Sequence, residues 1–243
     1  MAMKKLFSDR AVHAHRAGSH SHSHAHREHD VEIPELPPPP RAARIGLTGG
    51  IGAGKTAVSR LLAERGAVTI RATEMGHELM MSGQPGYDAV LAEFGPMILD
   101  PETKEIDRTA LGSLVFDDTM ARVRLETILF PLIAAEALRQ FDELPPGSVG
   151  VLDAPLIIET DAQDAFDVVI TVEADKELRR EWLLNRGYTK AQVTKRMNAQ
   201  ALDDDRLSVA DAVITNTGDN AKLVSDVDAV WRTIIVPAIR RLR

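Results

Sequence analysis

The sequence predicts an α/β fold built on a doubly wound parallel sheet, and three observations carry that expectation. From Arg44 onward, short apolar runs of strand length alternate with stretches of helical period. Val149-Gly150-Val151-Leu152 and Val168-Val169-Ile170-Thr171-Val172 are apolar throughout rather than alternating, as in parallel strands covered on both faces. A glycine-rich turn, Gly49 to Gly54, falls between the first strand and the first helix, where open sheets of this kind bind ligands.

Taken in order, Ile45-Gly46-Leu47-Thr48 reads as the first strand and residues 55–65 as a helix carrying Val58, Leu61 and Leu62 on one face. Val68-Thr69-Ile70 is a second short strand. Helical periodicity follows over residues 73–81, 87–94, 108–116 and 120–142, then come the two apolar strands. Residues 174–185 and 190–200 read as helices, Ala212-Val213-Ile214 as a last strand and residues 220–242 as one closing helix. The chain therefore divides into residues 1–43, a low-complexity tail, and residues 44–243, one domain.

The tail stands apart in composition. Seven of the eight histidines lie in it, and it ends in Pro37-Pro38-Pro39-Pro40. Such a segment cannot bury a core, so residues 1–40 are expected to contact another protein chain, with transition-metal binding by the histidine run as the lesser reading. The formal charge of −7 and pI near 5.6 argue against a general nucleic-acid binder. With no cysteine there is neither a disulfide framework nor a thiolate metal site, and a reducing compartment is expected: the cytoplasm, or the mitochondrial matrix if Lys4, Lys5, Arg10 and Arg16 form a transit signal. No apolar run reaches the length of a membrane span.

Gly49-Gly50-Ile51-Gly52-Ala53-Gly54-Lys55-Thr56 fits G-x-x-x-x-G-K-[ST] at every fixed position and sits between strand and helix, as a P-loop must. Its glycines let backbone N–H groups converge on phosphate oxygens, and the helix N-terminus adds its positive end. Lys55 then reaches the β and γ phosphates, and Thr56 ligates Mg²⁺. Gly49, Gly50, Gly52, Ala53, Gly54, Lys55 and Thr56 are therefore the expected nucleotide-binding residues, and ATP or ADP with Mg²⁺ the expected cofactors. Asp153 follows the strand Val149 to Leu152, which places a second magnesium-facing group near Thr56; a helix cap or a turn residue is the alternative for an acid at such a position.

Together with the P-loop segment, His77-Glu78-Leu79, Phe94-Gly95, Ile98-Leu99-Asp100, Val151-Leu152-Asp153-Ala154-Pro155-Leu156, Arg196, Gln200 and Asn216-Thr217-Gly218-Asp219 resemble dephospho-coenzyme A kinases over residues 44–232. The resemblance implies a P-loop core, a helical region for the coenzyme A precursor and a mobile lid. It also implies transfer of the ATP γ-phosphoryl group to the ribose 3′-hydroxyl of dephospho-coenzyme A. It assigns catalytic roles to Lys55, Asp153 and Arg186, and nucleotide contacts to Arg196, Asn216 and Gly218.

Three departures weigh against full activity. Where the family has Ile-Asp-Ala-Asp this chain reads Ile70-Arg71-Ala72-Thr73, so Arg71 stands at the position of the expected catalytic base. Glu74 is near enough in sequence to substitute, but on a helix it points about a hundred degrees away. The family's His-Pro-x-Ile is Phe130-Pro131-Leu132-Ile133, and an expected lid arginine is Trp182, with Arg179, Arg180 and Arg186 nearby to clamp phosphate. The expectation is a nucleotide-binding structural or regulatory subunit of a larger assembly with impaired transfer. An active dephospho-coenzyme A kinase, with dephospho-coenzyme A as second substrate, is the alternative. A metal-delivery GTPase is set aside because no Asn-Lys-x-Asp element for guanine is present.

Overall fold

A computed structural model describes residues 39–242. The expectations for the histidine and proline tail, a protein partner and a metal, fall on residues almost all of which lie outside that range. Strands β1 (Ala43–Gly49), β2 (Val68–Arg71), β3 (Val149–Asp153), β4 (Val168–Glu173) and β5 (Ala212–Thr215) form one five-stranded sheet in the order β2-β3-β1-β4-β5. Every pairing is parallel. The first two connections lie to one side of β1 and the later ones to the other, so β1 is where the winding reverses and its carboxyl end faces the ligand crevice.

Ten α-helices flank the sheet among the described residues. They are α1 (Lys55–Glu64), α2 (Ala72–Glu78), α3 (Pro85–Phe94), α4 (Arg108–Asp117), α5 (Thr119–Glu143), α6 (Lys176–Asn185), α7 (Lys190–Asn198), α8 (Asp203–Val209), α9 (Asn220–Val230) and α10 (Val236–Arg241). One apolar layer joins α1, α9 and α10 to Ile45, Leu47, Val149, Val151 and Ile214. The other joins α2 to α5 to Ile70 and Leu152, with Phe141 and Phe166 meeting edge to face at 6.5 Å between centroids. The central strands β3, β1 and β4 are almost wholly buried because each face has its own layer of helices to meet, whereas the edge strands β2 and β5 leave Val68 and Val213 exposed. No described helix is long and apolar enough to cross a membrane.

The chain joins this body slightly before Arg44: the Arg41 guanidinium donates to both Asp167 oxygens at 2.7 and 2.6 Å. Several helices start on the carboxylates that the sequence places there. Asp107, Asp118, Asp175 and Asp219 accept from first-turn N–H groups of α4, α5, α6 and α9.

Two expectations are corrected. Residues 203–209, which carry no helical period, form α8, and its three leading aspartates lie in the first turn where the helix dipole favours negative charge. The closing helix is not uniform: Trp231–Ile235 is a π-turn between α9 and α10. Pro237 lacks the N–H that an α-helix would donate to Thr233, and the wider turn before it accommodates that loss.

Candidate active site

The phosphate loop leaves β1 at Gly49 and enters α1 at Lys55. At Gly54 the backbone has φ 101°, and a Cβ there would stand 2.3 Å from the Asn216 amide nitrogen, so the position admits only glycine. Asn216, just past β5, donates from that nitrogen to Ala53 O at 2.9 Å and accepts from Gly218 N at 3.0 Å. The Asn216-to-Gly218 segment is thereby fixed against the loop. Asp219 in turn caps α9.

Lys55 folds back over the loop, its ammonium donating to Gly49 O at 2.9 Å. Burial pushes its pKa down, with the Asp153 charge opposing that shift. Asp153 ends β3, in register with Leu47 of β1 on one side and Arg71 of β2 on the other. Burial raises the Asp153 pKa, Lys55 and Arg71 pull it down, and Glu74 pushes it up again. Thr56 is exposed on the first turn of α1. A hydroxyl, a half-buried carboxylate and a lysine around a loop of N–H donors are hard oxygen ligands and positive charge, which fit magnesium and a polyphosphate.

Arg71 is the last residue of β2 and the cap of α2. Its guanidinium donates to Glu74 Oε1 at 2.7 Å, and that pair raises the Arg71 pKa. Glu74, the acid nearest to Arg71 in sequence, is thus held by the cation beside it. Phe130, on the 25-residue α5, lines two adjoining spaces. One is an apolar niche of about 150 Å³ against Ile133, Leu152 and Phe166. The other is a cavity of about 530 Å³ that also touches Ile51, Lys55, Arg122, Glu159 and Arg196.

The lid helices α6 and α7 distribute their arginines differently from the sequence expectation. Arg179 is 4% exposed, donates to Asp203 at 2.9 and 3.1 Å, and lies so close over Gly50 that a Cβ there would be 1.9 Å from its Nη1. Arg180 pairs with Glu177 on the surface. Arg186 caps α6 through its backbone and is exposed, away from the residues that line the 530 Å³ cavity. Arg196 does line that cavity, its guanidinium 5.2 Å from the Tyr188 ring and 5.9 Å from the Phe116 ring. The structure therefore gathers the loop, Lys55, Asp153, Asn216, Gly218 and Arg196, and leaves Arg186 outside.

Sequence reasoning passed over Arg206. It is 1% exposed on α8, donates to both Glu173 oxygens at 2.7 and 2.9 Å, and also donates to Asp203 and, at 2.6 Å, to Ala201 O. An arginine directly after three aspartates was the signal, and it reads as a solvated charge run until the fold buries it. Asp203 was missed for the same reason, and Glu173 because a single acid ending an apolar strand carries no sign of its partner.

The family model described as dephospho-CoA kinase matches residues 43–222. The dephospho-CoA kinase of Frankia casuarinae is 44% identical over 191 residues, covering 79% of this chain and 83% of its own. That of Thermobifida fusca is 38% identical over 192 residues, covering 79% and 96%. Among solved structures, TT1252 from Thermus thermophilus superposes with a TM-score of 0.68 at 23% identity over 80% of this chain and 98% of its own. The dephospho-CoA kinase from Campylobacter jejuni gives 0.58 at 24% identity over 79% and 96%. The two structures attest the shared fold. With the family match spanning most of the described body and identities near two in five over nearly whole relatives, the chain belongs to the dephospho-CoA kinase family.

Proposed function

We propose that this chain binds Mg-ATP in the loop from Gly49 to Thr56 and receives a dephospho-coenzyme A acceptor in the 530 Å³ cavity beside Lys55 and Arg196. In this reading transfer to the ribose 3′-hydroxyl is slow or lost, and the domain serves mainly as a nucleotide-binding subunit whose residues 1–40 engage another protein chain. The observation that carries it is Arg71. Its backbone is in register with Asp153, and its side chain binds Glu74, so the acceptor side of the metal-facing carboxylate presents a cation and a neutralised acid.

The residues divide the work as follows. Loop N–H groups and Lys55 would bind and orient the β and γ phosphates, and Thr56 and Asp153 would hold the magnesium. Magnesium, when bound, neutralises charge on the transferring phosphoryl group. Asn216 and Gly218 keep the loop in shape, and Arg196 closes the cavity from the lid side. A positioned base typically contributes about 10²–10⁴-fold, and Arg71 withholds that contribution.

A second reading, an active dephospho-CoA kinase, is favoured by the 44% identity to the Frankia casuarinae enzyme together with the complete set of Lys55, Thr56 and Asp153. One assay separates the two: purified full chain with Mg-ATP and dephospho-coenzyme A, with coenzyme A quantified by mass spectrometry. We expect turnover orders of magnitude below the kinase range of about 1–100 s⁻¹. Turnover within that range establishes the active enzyme instead.

A further inference from the structure

We infer that Gln200 is a positioning residue that fastens the lid to the phosphate loop, so that the lid's return segment shapes the loop before any nucleotide arrives. The inference rests on the proposed nucleotide site. Gln200 follows α7 by two residues, and its side-chain oxygen accepts from the Ile51 backbone N–H at 2.6 Å. Ile51 lies inside the loop, between Gly50 and the N–H donors from Gly52 onward. The Ala53 N–H, one of those downstream donors, itself closes a turn onto Gly50 O at 3.0 Å.

The segment that carries Gln200 is itself clamped. The Ala201 N–H donates to Glu159 Oε1 at 2.7 Å, on the chain that follows β3. The Ala201 carbonyl accepts from Arg206 at 2.6 Å, and Arg206 is locked in turn to Glu173 at the end of β4. Residues 200 and 201 are thus held at three points, by the phosphate loop, by the segment after β3 and by β4. A side chain anchored in this way can fix the Ile51 amide at little entropic cost, and the loop it fixes needs less ordering when phosphate binds. Without the Gln200 oxygen, a half-buried N–H loses its partner and the loop must be ordered by the ligand itself.

The test uses the full chain carrying Gln200→Met, which keeps length and loses the strong acceptor, and Gln200→Glu, which keeps an oxygen at the same reach. For Gln200→Met we expect the dissociation constant for a fluorescent N-methylanthraniloyl ATP to rise about tenfold, while the thermal midpoint without nucleotide falls by no more than about 4 °C. Tryptic cleavage after Lys195 and Arg196, followed by mass spectrometry without nucleotide, should quicken about fivefold in Gln200→Met and return close to wild type in Gln200→Glu. Unchanged affinity or unchanged lid cleavage in Gln200→Met overturns the inference. So does a fall of more than about 10 °C in the midpoint, which would mark Gln200 as an ordinary packing contact. If the wild-type chain does not bind the nucleotide probe, the reading of the site fails, and the lid-cleavage comparison alone then judges the tie.

Discussion

Lys55 and Asp153 hold opposite charges in a place where burial disfavours both, and that conflict is what a phosphate and a metal ion would resolve. Lys55→Ala should weaken nucleotide binding about 10–100-fold, the worth of a charge-assisted hydrogen bond to phosphate, in a direct titration. Unchanged affinity would show that the loop is not the nucleotide site. Asp153 gives a pH prediction. Its folded pKa lies above the ordinary aspartate value of 3.8, so its contribution to stability is complete below that value and is lost as pH rises through the folded pKa. Asp153→Asn removes the titration, so the midpoint of the variant minus that of wild type, without nucleotide, should be larger at pH 7 than at pH 4. A difference that is flat or falls with pH contradicts the burial argument. At Arg71, the double change Arg71→Asp with Thr73→Asp should recover part of any missing transfer and leave nucleotide affinity within about threefold, because both positions lie outside the phosphate loop, at the end of β2 and the start of α2. Lost nucleotide affinity would instead place Arg71 in the ATP site.

At the scale of elements, what the sequence made legible was governed by period. The five strands and most helices follow from apolar runs and helical spacing, both local properties of the chain. Helix α8 was not legible, because Asp203-Asp204-Asp205-Arg206 has no apolar stripe and is ordered by partners distant in sequence, Glu173 and Arg179 among them. Arg206→Met should therefore cost far more than a surface substitution. Removing one partner from a buried ion pair typically costs about 3–5 kcal/mol, which corresponds to a midpoint about 10 °C lower in a chain of this size. A fall of less than about 3 °C in a thermal melt would show that Glu173 and Asp203 find other partners when Arg206 is gone. The lid arginines follow the same rule. Charge type is visible in sequence, but whether an arginine pairs with an aspartate, stacks on a ring or faces solvent depends on which helix it meets.

For the molecule as a whole, nucleotide and fold are linked by mass action. Mg-ATP at a hundred times its dissociation constant should add about 2.7 kcal/mol to stability, a rise of several degrees in midpoint that Lys55→Ala, with its roughly 10–100-fold weaker binding, should cut to about 0.4–1.4 kcal/mol at the same concentration. A chain lacking residues 1–38 should show the same midpoint and the same nucleotide-induced rise, since the described body closes its sheet and both apolar layers without them. Loss of either would give the tail a part in the domain itself.

The sequence by itself determined the α/β class, the phosphate loop, the strand that ends in Asp153 and the family resemblance, because each is written in consecutive residues at fixed spacing. Tertiary structure decided what the charges do. It placed Arg71 in register with Asp153, drew Arg179 over Gly50, left Arg186 outside the cavity and buried Arg206 against Glu173. A charged side chain takes its pairing, its burial and hence its pKa from neighbours that lie tens of residues away in the chain, and only the folded sheet brings them within reach.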